Sequence, residues 1–195
     1  FAAALADGEV HAVKVGLLGS AEAIAGVAAA LRPLRGKVPI VVDPVLSATA
    51  GGYEAPAALA RAYLEHLLPQ ASVLTPNHPE AAAIYGDDVD RALAIGCGAV
   101  LVKGGHGSGE VAADSLHCAG RRRLFVRPRL PVGRVHGTGC ALATALAAGL
   151  ANGLDLETAV QRAGDWIHAL LTVLGPADSD DLPRPLPLPR VAPIT

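Results

Sequence analysis

The sequence predicts an α/β fold with a mostly parallel central sheet and helices packed on it, on three observations. Short β-branched apolar runs alternate with longer stretches rich in Ala and Leu. Some of these runs are apolar throughout, as strands buried on both faces are. Residues able to carry chemistry fall just after them, where such sheets bind ligands: Gly16, Asp43, Asn77 and Lys103.

Along the chain, VHAVKVG (10–16) reads as the first strand. Residues 20–32 read as a helix with Ser20 as N-cap and Glu22 in its first turn. VPIVVD (38–43) is a buried parallel strand ending in Asp-Pro, 55–68 a helix, and ASVLTP (71–76) a strand. Short helices follow over 78–85 and near 89–96, then the buried strand GAVLVKGG (98–105). Residues 111–127 form a hairpin turning near Ala119-Gly120. Two long helices cover 138–152 and 155–174. From Pro176 onward the chain is rich in proline, as in PRPLPLPRVAP, and is expected to be extended or linker-like.

At 195 residues, 51% hydrophobic and 17% charged, the chain is long enough for one domain with a sizeable core. A formal net charge of -2 gives no electrostatic case for nucleic acid or an anionic membrane. No run approaches the ~18 apolar residues of a membrane span. The three cysteines, Cys97, Cys118 and Cys140, are too few and too widely spaced for a disulfide framework or a zinc site, so a cytoplasmic location is expected. The sequence contains no methionine, and Phe1 is read as the start of a fragment or a processed product.

Within VHGTGC (135–140), a glycine-rich turn leads straight into a helix. Backbone N–H groups at the positive end of a helix dipole form an anion site suited to phosphate. Gly137 and Gly139 admit close approach of a ligand, and no Walker A loop occurs in the chain. Cys140, in the first helical turn, is expected to have a lowered thiol pKa and to act as a base or polar contact; plain packing is the alternative. Asp43 could hold Mg²⁺, orient phosphates, or merely sit in a solvated turn. Asn77 and Glu80 read equally as a capping-box pair or as part of a water-mediated Mg²⁺ shell. Lys103 is placed to meet a phosphate or to snorkel. His106 and His136 read as exposed, Arg121–Arg123 as a solvated hairpin tip, and Trp166 as helix core. Together these residues suit Mg²⁺-assisted phosphoryl transfer.

The motifs KVGLLGS, VVDPVLSATAGG, LTPNHPEA, VLVKGGH and HGTGC, in that order, resemble the hydroxymethylpyrimidine/phosphomethylpyrimidine kinases of thiamine biosynthesis, in the ribokinase-like superfamily. The resemblance runs from about Val10 to Trp166. It implies a three-layer α/β/α kinase domain over 1–175 and a Pro-rich tail over 176–195. The implied activity is ATP- and Mg²⁺-dependent phosphorylation of 4-amino-5-hydroxymethyl-2-methylpyrimidine and then of its monophosphate, by a cytoplasmic homodimer. Carried over residue by residue, Gly137, Thr138, Gly139 and Cys140 match the anion hole, with Cys140 where sugar kinases of the superfamily place an aspartate base. Asp43, Asn77 and Glu80 match the Mg²⁺/phosphate shell, with Asp43 and Glu80 facing the metal. Lys103 matches a nucleotide-phosphate contact, while Gly16, Leu17 and Val45 match pyrimidine-pocket positions.

The family's amino-terminal strand–loop–helix, with its G-x-D-x-S-G-G-A-G loop, is absent from residues 1–195, so part of the substrate site and of the sheet is expected to be missing. Within the matched region, ATAGG (48–52) stands where the family has a lysine-containing K-S-G, and Leu17 stands for a methionine. Hydroxyethylthiazole kinase, pyridoxal kinase, or a non-catalytic nucleotide- or pyrimidine-binding domain are the alternatives.

Overall fold

The computed structural model describes residues 8–48, 53–54, 57–105, 109–177 and 183–189. His106 and residues 49–52 of the ATAGG stretch lie outside the described residues. The strands are β1 (Val13–Val15), β2 (Ile40–Val42), β3 (Ser47–Ala48), β4 (Tyr53–Glu54), β5 (Val73–Leu74), β6 (Val100–Val102), β7 (Val111–Cys118), β8 (Arg121–Pro128), β9 (Val135–His136) and β10 (Arg184–Pro185). The helices are α1 (Ala21–Leu31), α2 (Ala57–Ala62), α3 (His78–Tyr85), α4 (Val89–Ala94), α5 (Thr138–Ala151) and α6 (Leu156–Leu174).

Among the described residues, the main sheet has six strands in the order β1-β2-β5-β6-β7-β8. The first four are parallel, while β7 and β8 extend the sheet as an antiparallel hairpin. The parallel part therefore shares one carboxyl edge, and residues that follow β2, β5 and β6 emerge side by side. Period-2 alternation divides the interior into two packed layers. Ile40 and Val42 face a core with Ile24, Leu31, Tyr63 and Ile84, whereas Val41 faces a second core with Leu142, Leu146, Val160 and Ile167. Helices thus cover both faces, which gives the expected three layers. Trp166 packs against the second core.

Local chemistry accounts for most element boundaries. The Ser20 side chain accepts from Ala23 N–H and starts α1, and Asp155 does the same for Thr158 N–H at α6. The hairpin turns through Ala119 (φ 49) and Gly120 (φ 72), two left-handed residues of the sort a tight two-residue connection requires. The helix expected over 55–68 is interrupted. After α2 the chain widens into a π turn at Tyr63–Leu67 and tightens into a 3₁₀ turn at Leu68–Gln70. Pro69, which lacks an N–H, prevents an α-helical continuation there.

The proline-rich tail is extended over 183–189, as expected, but this stretch is not a free linker. Its β10 pairs in parallel with β9, and Leu186 is buried in the second core.

Candidate active site

The turn after β2 carries Asp43, fully buried at 0% exposure. The turn after β6 carries Lys103, whose Nζ lies 2.7 Å from Asp43 Oδ1 and 3.8 Å from Glu80 Oε2. Thr75, at the end of β5, is also fully buried, with Oγ1 3.4 Å from both Asp43 Oδ1 and Val42 O. Lys103 N donates to Pro76 O at 2.8 Å, and Asn77 and Lys103 form an isolated parallel bridge. Neighbouring strand ends thus place Asp43, Asn77, Glu80 and Lys103 in one cluster.

Asn77 and Glu80 form a complete capping box. Glu80 N donates to Asn77 Oδ1 at 2.8 Å, and Asn77 N donates to Glu80 Oε2 at 2.7 Å. One oxygen of Glu80 is therefore committed to the helix start. Burial pushes the Glu80 carboxyl above its usual range, an effect opposed first by the Lys103 ammonium.

The glycine turn closes the site from the other layer. Gly137, at the N-cap of α5, has φ 90, and no side chain caps the helix. The first-turn N–H groups of α5 are thus left without a side-chain cap and available to an anion. A Cβ on Gly139 would stand 3.0 Å from Lys103 Nζ, so the lysine ammonium lies directly against this turn.

Cys140 departs from expectation. Although Cys140 is exposed, its thiol pKa is raised rather than lowered, first by desolvation from the surrounding protein and next by the negative charge of Asp43; Lys14 and Lys103 only partly oppose this. The neighbouring carboxylate thus disfavours the thiolate at this position. Alkylation of Cys140 should be slow at neutral pH and should keep rising beyond the ordinary thiol range. Site-resolved mass spectrometry across a pH series measures this, and a midpoint below the ordinary value would contradict it.

Sequence reasoning passed over Lys14. Its Nζ lies 3.9 Å from Asp43 Oδ2, on the side of the carboxylate opposite Lys103 in the sense that each lysine faces a different oxygen. A Cβ on Gly16 would come within 2.6 Å of the Lys14 ammonium, so glycine leaves that charge its room. The signal was present in VHAVKVG: a lysine inside an apolar strand needs a partner. Arg129 was also passed over. Its guanidinium donates to the carbonyls of Gly104, Gly105, Gly109 and Val111 and braces the turn that carries Lys103.

Of the three positions that the resemblance assigns to a pyrimidine pocket, Gly16 and Val45 adjoin the cluster. Gly16 O accepts from Tyr63 OH at 3.3 Å, and Val45 N donates to Asp43 O at 2.9 Å. Leu17 is 54% exposed. Among the described residues, no group of three or more His, Cys, Asp or Glu could hold a metal by itself. Asp43 Oδ2, however, is buried and has no hydrogen-bond partner. This oxygen, faced by the Lys14 ammonium at 3.9 Å but without a hydrogen bond, fits Mg²⁺, which commonly takes one or two carboxylates and completes its shell with waters and substrate phosphates.

The mostly parallel central sheet with helices on both faces matches the ribokinase-like kinase fold. The pyridoxal kinase of Staphylococcus aureus in complex with ADP superposes with a TM-score of 0.78 at 26% identity, covering 95% of this chain and 70% of that one. The phosphomethylpyrimidine kinase of Clostridium difficile gives a TM-score of 0.71 at 30% identity, with 86% and 71% covered. The family model for phosphomethylpyrimidine kinase matches residues 1–178, and the chain belongs to that family. The hydroxymethylpyrimidine/phosphomethylpyrimidine kinase of Rhizobium meliloti is 41% identical over 186 residues, 87% of this chain and 67% of the relative. This chain thus spans about two thirds of that relative's length.

Proposed function

We propose that the protein transfers the γ-phosphoryl group of ATP to the hydroxymethyl oxygen of 4-amino-5-hydroxymethyl-2-methylpyrimidine, and then phosphorylates the resulting monophosphate. The observation that carries this reading is the Lys103–Asp43 pair set against the uncapped turn at Gly137–Cys140. It supplies a cation, free N–H donors and a free carboxylate oxygen in one place, which is what phosphoryl transfer needs for positioning and charge neutralisation. The names of the similar kinases support the pyrimidine as acceptor.

In this reading the N–H groups of Thr138, Gly139 and Cys140 and the Lys103 ammonium bind the nucleotide phosphates. Asp43, backed by the Asn77–Glu80 pair, would hold Mg²⁺, which neutralises phosphate charge when bound. Gly16, Leu17 and Val45 flank the acceptor. Cys140 faces the acceptor hydroxyl, and neutralising the charge of Asp43 favours its thiolate, the form able to accept a proton. The kinase domain is assigned to residues 1–175, and the described tail residues 184–186 pack against it. A homodimeric, cytoplasmic setting rests on the family resemblance; no helix among the described residues is long and apolar enough to cross a membrane.

Pyridoxal is the second acceptor to consider, because the S. aureus enzyme shares the fold so fully. Coupled ADP release with the pyrimidine alcohol, its monophosphate, hydroxyethylthiazole and pyridoxal ranks the acceptors by kcat/KM. The two pyrimidines should lead; a higher value for pyridoxal would reassign the substrate. Cys140→Ala should lower kcat by about a hundredfold while leaving ATP affinity nearly intact, in line with loss of a proton acceptor. An unchanged kcat would leave Cys140 only its place in the turn.

A further inference from the structure

The glycine turn at the start of α5 carries no side-chain cap of its own. Gly137 sits in the left-handed region, and β9, which leads into it, is two residues long. Support comes from the C-terminal segment. Arg184 N donates to Arg134 O at 2.9 Å and Leu186 N donates to His136 O at 3.2 Å, so the tail's backbone brackets β9 up to the residue before Gly137.

The Arg184 side chain adds a second hold. Its Nη2 donates to Val132 O at 2.6 Å and Gly175 O at 3.0 Å, and its Nη1 donates to Pro176 O at 3.1 Å and Leu174 O at 3.4 Å. One planar guanidinium therefore ties the loop before β9 to the carboxyl end of α6, where the helix dipole favours a cation. Two further contacts follow the same seam: Ala177 N donates to Pro131 O at 2.8 Å, and a Cβ on Gly133 would stand 2.8 Å from Ala177 Cβ. Leu186, 9% exposed, anchors the segment in the second core beside α5 and α6.

We propose that residues 184–188 act as a clasp that fixes the glycine turn at the start of α5, with Arg184 as its positioning residue. Arg184 touches neither Asp43 nor Lys103 in its recorded contacts; it acts through β9 on the N–H groups that follow. The clasp itself stands on this geometry, and only its effect on nucleotide affinity rests on the kinase reading.

Amide hydrogen exchange by NMR on the whole chain tests the proposal. The reporter is Ala141 N–H, which donates to Gly137 O at 2.9 Å in the first bond of α5, read beside Leu186 N–H. The controls are Leu74 and Thr75 N–H in the central sheet. In Arg184→Ala, exchange at Ala141 and Leu186 should quicken by about tenfold or more while the controls hold, the mark of local rather than global opening. Arg184→Lys keeps a point charge without the fork and should fall between the two; it decides the matter by the same readouts if Arg184→Ala does not fold. ATP affinity, by calorimetry, should weaken by about tenfold in Arg184→Ala if the turn contacts phosphate. Unchanged exchange at Ala141, or equal acceleration at all four amides, would overturn the clasp. So would an unchanged ATP affinity in a chain whose wild type binds ATP. A wild type that binds no ATP would sink the kinase reading instead, and the exchange data would still judge the clasp.

Discussion

Asp43→Ala should lower the stability of the protein by about 3 kcal/mol and abolish ADP release, because it removes the shared counter-charge of two lysines. Asp43 is fully buried, with Lys103 at 2.7 Å and Lys14 at 3.9 Å on separate oxygens. The side chains of Lys103 and Lys14 are only 12% and 21% exposed, so neither ammonium is well hydrated once the carboxylate is gone. The variant leaves two like charges facing each other across a small void, and repulsion adds to the lost pairing. Inorganic phosphate should restore part of the stability, since the vacated site is cationic and borders the uncapped turn of α5. Urea denaturation with and without phosphate measures both effects. A variant as stable as wild type would mean that the lysines find other partners, and the site would lose its central ion pair.

Gly104→Ala should be nearly as damaging, by about 3 kcal/mol, for a reason of shape rather than charge. A Cβ at this position would overlap the backbone carbonyl oxygen of Ala113 and stand 2.7 Å from its carbonyl carbon. Backbone atoms of a paired strand cannot rotate aside as a side chain can, so β6 and β7 must part. Gly104 N also donates to Asp114 Oδ1 at 2.9 Å, and this bond tethers the turn that carries Lys103. Nucleotide affinity should therefore fall together with stability. A thermal melt within a few degrees of wild type would contradict the close approach seen here.

Much of this was legible in the sequence, because most elements depend on neighbours in the chain. The capping box at Asn77 and Glu80, the N-cap at Ser20 and the turn at Ala119-Gly120 involve residues a few positions apart. The apolar run VPIVVD declared a strand buried on both faces, and Val41 and Val42 indeed enter opposite cores. What escaped notice depends on residues that only the fold brings together. Lys14 stood unremarked within an apolar strand until the fold placed Asp43 beside it. The thiol of Cys140 was assigned by the dipole of its own helix, yet burial and a carboxylate from the far end of another strand reverse the sign. The tail looked like linker because proline suits extended chain, and extended it is, but Arg184 and Leu186 fasten it to the body. In each case a partner distant in sequence decided the outcome.

Phosphoryl transfer from ATP to a pyrimidine alcohol is the activity proposed for this cluster. Phosphorus NMR of the chain, and of any longer product of its gene, incubated with MgATP and 4-amino-5-hydroxymethyl-2-methylpyrimidine tests it most directly. A phosphomonoester resonance should appear and give way to a diphosphate pair as ADP accumulates, with neither product formed by Asp43→Ala. ATP left intact beside unmodified pyrimidine, or the same products from the variant, would contradict it.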